Sequence, residues 1–168
     1  MRLSSGRIIR AAQPGDGEQI AGFVRALARY ERMEDQVRAC AADFEQALFA
    51  ARPTAEALLL LENEQALGFA LYYPAFSTFD GCPRLYLEDL YVTPEARGQG
   101  HGRAMLAALA EIAVTRGWRR MEWSVLDWNE PAIGFYAGLG AELDRQWLRT
   151  VLADEALRKL ADSSKPRA

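Results

Sequence analysis

The sequence predicts an α/β (α+β) fold, a mixed sheet covered by helices, and two observations carry the prediction. In the first half, "ALLLLENEQALGFALYY" holds two apolar runs joined across Glu62 to Gln65, the pattern of a hairpin and so of antiparallel pairing. In the second half a strand, a glycine-rich loop, a helix, a strand and a short helix follow in turn, the order of a parallel crossover.

The elements follow from local chemistry. "RIIRAA" (Arg7 to Ala12) is a first strand closed by Pro14, Gly15 and Asp16, and Asp16 is expected to cap a helix with the stripe Ile20, Phe23, Val24, Leu27, reaching about Tyr30. A second helix with Phe44, Leu48 and Phe49 ends before Pro53. After the hairpin and a loop containing Gly81 and Pro83, "RLYLEDLYV" is another strand. A helix from about Gly102 to Arg116 carries Met105, Leu106, Leu109, Ile112 and Ala113 on one face, and Gly117 stops it. "RRMEWSVL" is a strand, "NEPAIGFYAGLG" a helix ended by Gly138 or Gly140, and Glu142 to Leu152 a last strand. Residues 1–162 read as a single domain and 163–168 as a disordered tail.

Composition narrows the function. The chain has 168 residues, 50% hydrophobic and 26% charged, ordinary for a globular protein, with no apolar run of membrane-spanning length. Met1 to Arg10 lacks the apolar block of a signal peptide, so a cytoplasmic location is expected. Cys40 and Cys82 lack metal-ligand spacing, and with one histidine in the chain neither a disulfide nor a metal site is expected. A net charge of -3 speaks against nucleic acid as a partner and favours a cationic one.

Three segments carry candidate chemistry. In "VTPEARGQGHGRAMLAAL" the bare backbone of Gly98, Gly100 and Gly102 opens a helix, whose free N–H groups and positive dipole end suit phosphate oxygens; a plain strand-to-helix turn is the alternative. The segment lacks the lysine of a P-loop and the glycine spacing of a dinucleotide fingerprint. Glu88 and Asp89 interrupt an apolar strand, and strict alternation puts them on opposite faces, one partnered and the other facing a cavity, unless both sit at a frayed edge. In "DWNEPAIGFY" Asn129 is placed to cap a helix, and Tyr136 follows it by seven residues, about two turns; a packing role for Tyr136 is the alternative.

Together these segments resemble the GCN5-related N-acetyltransferases (GNAT), whose Arg/Gln-x-x-Gly-x-Gly/Ala signature is matched by Arg97, Gly100 and Gly102. "LARYERMEDQV", "FALYY", "LYLEDLYV" and "WNEPAIGFY" are similar to segments of the diamine (spermidine/spermine) and thialysine N-acetyltransferases, over roughly Arg7 to Leu160. The resemblance implies a mostly antiparallel sheet, splayed between its middle strands and flanked by helices on both faces. It implies acetyl-CoA as cosubstrate, no metal, and a homodimer.

For individual residues, the resemblance implies that the coenzyme pyrophosphate lies on the amides of Gly98, Gln99, Gly100, His101, Gly102 and Arg103, with Arg97 of the signature also among the coenzyme-binding residues. The pantetheine arm would pair with Leu90, Tyr91 and Val92 where they splay from Glu122 to Ser124, with further contacts from Asn129, Glu130, Pro131 and Ala132. Glu88 matches the proposed base and Tyr136 the group that protonates the leaving thiolate; the N–H near Leu90 is placed to polarise the thioester carbonyl. Tyr30, Glu31, Glu88, Asp89, Phe79 and Trp147 match the amine site. Arg145, before Trp147, stands where the relatives carry an acid, with Asp144 beside it, which favours a small primary amine such as a diamine or a lysine-like amino acid over a long polyamine. His101 reads as an exposed loop side chain, and Trp118, Trp123 and Trp128 as packing residues. The rival readings are transfer to another amine, on an antibiotic or a protein, and a non-catalytic acetyl-CoA-binding module.

Overall fold

The computed structural model describes residues 6–164; Met1 to Ser5 and residues 165–168, the end of the expected tail, lie outside them. The chain divides into two compact units, Met1–Ser124 and Val125–Ala168.

The first unit runs β1 (Arg7–Ala11), α1 (Gly17–Glu31), α2 (Ala41–Phe49), β2 (Glu56–Glu62), β3 (Gln65–Ser77), β4 (Cys82–Val92), α3 (His101–Thr115) and β5 (Met121–Trp123). Its sheet has the order β1-β2-β3-β4-β5, antiparallel through β4 and parallel between β4 and β5. The mixed, mostly antiparallel sheet with helices on both faces is the fold the sequence predicts.

The hairpin forms where expected: Asn63 and Glu64 take φ of 49° and 67°, the two left-handed positions of a two-residue turn whose twist matches its strands. β2 is buried from Ala57 to Leu61 because both sheet faces are covered. On one face Phe23 of α1 stacks on Phe69 at 5.7 Å and tilts against Tyr91 at 5.9 Å, in a core shared with Ile20, Leu48 and Leu59. On the other face α3 buries Met105, Leu106 and Leu109, and Gly117 ends it with φ of 72°. Cys40 and Cys82 are free thiols.

Several sequence expectations need correction. Asp16 stands at the head of α1 without capping it, because its carboxylate takes the Arg10 guanidinium at 2.6 and 2.9 Å and the Gln13 N–H at 2.6 Å. Charged donors make the stronger bond. Glu45 of α2 accepts instead from the N–H groups of Gly15 (2.9 Å) and Gly17 (2.8 Å), tying the two helices together. Pro83 lies within β4, not in a loop, so β3 and β4 are longer than their apolar cores suggest. "RRMEWSVL" yields only the three residues of β5.

In the second unit α4 (Glu130–Ala137) forms as expected, with the Asn129 side chain accepting from the Ala132 N–H at 3.3 Å and Gly138 at its end. The expected last strand, Glu142 to Leu152, is not a strand: its apolar residues, Leu143, Trp147, Leu148, Val151 and Leu152, do not alternate, and it has no ladder partner among the described residues. A helix absent from the sequence reading, α5 (Asp154–Ser163), follows it. Its local signals are acids in the first turn and a Glu155–Lys159 pair at 2.9 Å one turn apart. α5 reaches Ser163, the first residue of the expected tail. Among the described residues no helix is long and apolar enough to cross a membrane.

Candidate active site

The site begins with an irregularity in β4. Against β3 the register pairs Leu71 with Asp89 and then Tyr72 with Leu87, so Glu88 is an extra residue, a bulge. Directly opposed residues share a sheet face. Asp89 and Tyr91, paired with Leu71 and Phe69, therefore share the α1 face, as do Tyr73 and Tyr86, while Leu87 and Tyr72 point the other way. Glu88 accepts from the Tyr73 hydroxyl at 3.3 Å, and the Tyr73 and Tyr86 rings lie 5.2 Å apart. Glu88 and Asp89 thus belong to one face rather than opposite faces, which corrects the strict alternation read from the sequence. The bulge breaks that alternation at the point where chemistry is expected.

The electrostatics agree. The Asp89 carboxyl is pushed up to about 6, first by burial, then by the negative charges of Glu88 and Glu31. Glu31, at the end of α1, is itself raised by burial. Three carboxylates converge on one face of β4, and a bound cation would relieve their mutual repulsion. Exposed Glu88 is the accessible acceptor; half-buried Asp89 stands behind it.

The same bulge marks where β4 loses its second neighbour. β5 pairs only with Leu85, Tyr86 and Leu87, and from Glu88 to Val92 the edge turned toward β5 has no strand beside it among the described residues. The parting expected from Glu122 to Ser124 lies further on, since Glu122 and Trp123 pair with Tyr86 and Leu87; the edge beyond them leaves main-chain groups for an extended ligand. On the β3 side Gly68 allows a close approach: a Cβ there would lie 2.5 Å from the Tyr91 carbonyl oxygen.

At the end of β4 the chain passes through a short 3-10 turn (Pro94–Ala96) into the glycine loop. Gly98 and Gly100 take φ of 74° and 80°, with Gly100 at the head of α3; nothing lies within 4 Å of a Cβ at either, so conformation rather than space calls for glycine. The first bond of α3 runs from the Ala104 N–H to the Gly100 carbonyl at 3.0 Å, so the amides ahead of it lie outside the helical ladder and suit an anion. Gly102 and Arg103 fall in the first turn of α3. Arg97 donates from Nε to the Val92 carbonyl at 3.0 Å, and its guanidinium lies over the rings of Tyr30 (5.0 Å) and Tyr91 (5.5 Å). It locks the start of the loop to the ends of β4 and α1.

His101 is not the exposed loop residue the sequence suggested. It is the first residue of α3, 5% exposed, with its Nε2 against the Arg7 guanidinium. Its titration is displaced below the ordinary value by burial and then by Arg7, against a smaller opposing pull from Glu62. Phe79, expected as an aromatic wall, is 93% exposed at the β3–β4 turn. Residues that sequence reasoning missed are Tyr73, Tyr86, Gly68 and Arg7. Only Gly68 left a signal, a glycine inside an apolar strand.

In the second unit Asn129 is buried as the α4 cap, Glu130 and Pro131 are exposed in its first turn, and Ala132 donates to the cap. Tyr136 is half-buried beside Phe135, ring centroids 5.3 Å apart. Trp147 is 77% exposed in the irregular segment before α5. Among the described residues no group of His, Cys, Asp and Glu could hold a metal ion.

Known proteins share the sequence pattern and the fold. The model of the acetyltransferase (GNAT) family matches residues 29–141. Thialysine N-epsilon-acetyltransferase of Bos taurus is 38% identical over 165 residues, covering 92% of this chain and 96% of that protein. The spermidine/spermine N(1)-acetyltransferase-like protein 1 of Homo sapiens is 36% identical over 140 residues, 79% of this chain and 20% of that protein. Among solved structures, an integron cassette protein from the mobile metagenome of V. cholerae has a TM-score of 0.78 at 28% identity, covering 93% of this chain and 98% of that one. An aminoglycoside acetyltransferase from an uncultured soil metagenomic sample, TM-score 0.76 at 14% identity over 92% of this chain and all of that one, shares the fold. The chain is therefore an acetyltransferase of the GNAT family, with its resemblance to the thialysine and spermidine/spermine members extending over most of its length.

Proposed function

We propose that the protein transfers the acetyl group of acetyl-CoA to a primary amine of a small cationic substrate, a diamine or a lysine-like amino acid. The observation that carries this reading is the convergence of Glu31, Glu88 and Asp89 on one face of β4, beside the stretch where that strand has lost its neighbour. The carboxylates attract a cation, and the open edge and the amides from Gly98 to Arg103 suit an extended anion-bearing carrier. The bound coenzyme supplies an activated thioester carbonyl.

An alkylammonium of pKa about 10.4 is free amine in roughly one molecule per thousand at neutral pH, so the acceptor must lose a proton before attack. Glu88 takes that proton, directly or through water, while Asp89 and Glu31 hold the cationic end of the substrate. The nitrogen then bonds to the acetyl carbon as the carbon–sulfur bond breaks, and the second proton it sheds passes through solvent to replace the one that Tyr136 gives up. The N–H near Leu90 holds the carbonyl oxygen, and Tyr136, assigned by its match to the family motif, returns a proton to the thiolate. A phenol of pKa about 10 protonates a thiol of pKa about 8.5 only uphill in water, so Tyr136 needs surroundings that equalise the two or acts as a hydrogen-bond donor. The match to the family also assigns Asn129 to Ala132 to the coenzyme and Trp147 to the amine. The full reading is of one cytoplasmic N-acetyltransferase domain working as a homodimer.

The test is an amine panel assayed for released coenzyme thiol: a diamine, spermine, thialysine, an aminoglycoside and a lysine peptide. Fastest turnover with the diamine or thialysine is expected. Preference for the aminoglycoside or peptide would move the protein to another branch of the family, and coenzyme binding without turnover on any amine would make it a non-catalytic module.

A further inference from the structure

Arg7, at the start of β1, reaches across to residues 92 and 94 positions further along the chain. Its Nε is held by Glu62 Oε1 at 2.6 Å, where β1 and β2 pair. One terminal nitrogen then donates to Gln99 Oε1 at 2.7 Å and meets His101 Nε2. The Gln99 amide is fixed at its other end too, donating to the Glu95 carbonyl at 3.2 Å. The two residues so held flank Gly100, the left-handed residue that starts α3. A guanidinium only donates, so Nε2 of His101 must accept, and the imidazole is neutral with its proton on Nδ1. Arg7 of β1 and Glu62 of β2 are the charged groups facing the ring.

We propose that Arg7 is a positioning residue for the glycine loop: anchored by Glu62, it holds Gln99 and neutral His101 on either side of Gly100 and so fixes the direction of the Gly98–Arg103 amides. The inference rests on the reading that these amides receive acetyl-CoA. Protonation of His101 would set two cations against each other and release the loop, so coenzyme affinity should fall as the solution is acidified through the histidine's titration.

The chain has one histidine, so a single imidazole signal in the NMR spectrum reports the contact without any ligand. In Arg7→Met the midpoint of that signal should rise toward the ordinary value of about 6.5. Calorimetric titration with coenzyme A should show affinity weakened about tenfold, equivalent to about 1.4 kcal/mol, with kcat at saturating coenzyme within about twofold of the parent. Arg7→Lys keeps the charge and the Glu62 pair, but a single ammonium does not span both partners, so affinity should weaken about threefold; this variant decides the matter if Arg7→Met does not fold. Unchanged coenzyme affinity in the variants, against a parent that binds, overturns this inference alone, and so does an unmoved midpoint in Arg7→Met. A parent chain that does not bind coenzyme A overturns the functional reading and this inference with it.

Discussion

Replacing Asp89 by Asn should stabilise the protein at neutral and alkaline pH while weakening its hold on a cationic amine. In the folded chain the Asp89 carboxyl is pushed up to about 6 from an ordinary 3.8 by burial and by Glu88 and Glu31. A folded value above the unfolded one means that protonated Asp89 favours the fold below the unfolded value, and that this advantage is lost as pH rises through about 6. At about 1.4 kcal/mol per unit, the ionised group costs the fold at most about 3 kcal/mol, and its partial exposure reduces this to about 2. An amide of the same shape never ionises. For a chain of this size about 2 kcal/mol corresponds to roughly 4–8 °C in Tm. The assay is thermal denaturation of both proteins from about pH 4 to about pH 8, where the Tm of Asp89→Asn minus that of the parent should grow by this amount. A difference that stays constant across the range refutes the clustered-carboxylate reasoning. At high pH a diamine should raise the Tm of the parent more than that of the variant.

Two further outcomes follow. Tyr136→Phe should lower turnover at least about tenfold while coenzyme affinity by calorimetry barely changes, and an unchanged turnover removes Tyr136 from the mechanism. Gly68→Ala would drive a methyl group to 2.5 Å from the Tyr91 carbonyl; about 1–3 kcal/mol of stability should be lost in urea unfolding, with weaker coenzyme binding because β4 must shift. Parent-like stability in that variant would mean the two strands are not so closely apposed.

Much of the architecture was legible because its causes are local. Asn63 and Glu64 between two apolar runs announce a hairpin, and the alternation of apolar residues around α1 and α3 announces which face each buries. The glycines at 98 and 100 were readable because their positive φ is a property of the residue itself. What stayed hidden depends on partners. The bulge at Glu88 is a relation between β3 and β4, and only that relation brings both carboxylates to one face. Asp16 carries the chemistry of a cap, yet Arg10 takes its carboxylate and Glu45, from a different helix, supplies the acceptor. Glu142 to Leu152 finds no ladder to join among the described residues, and His101 is held against an arginine more than ninety residues away in the chain.

The central claim is that the open stretch of β4 and the loop after it receive the coenzyme. Amide hydrogen exchange with and without coenzyme A tests it most directly. The account predicts new protection at Leu90 to Val92 and Gly98 to Arg103, with little change along β1 and β2. Protection confined to other segments, or none at saturating coenzyme, would contradict it.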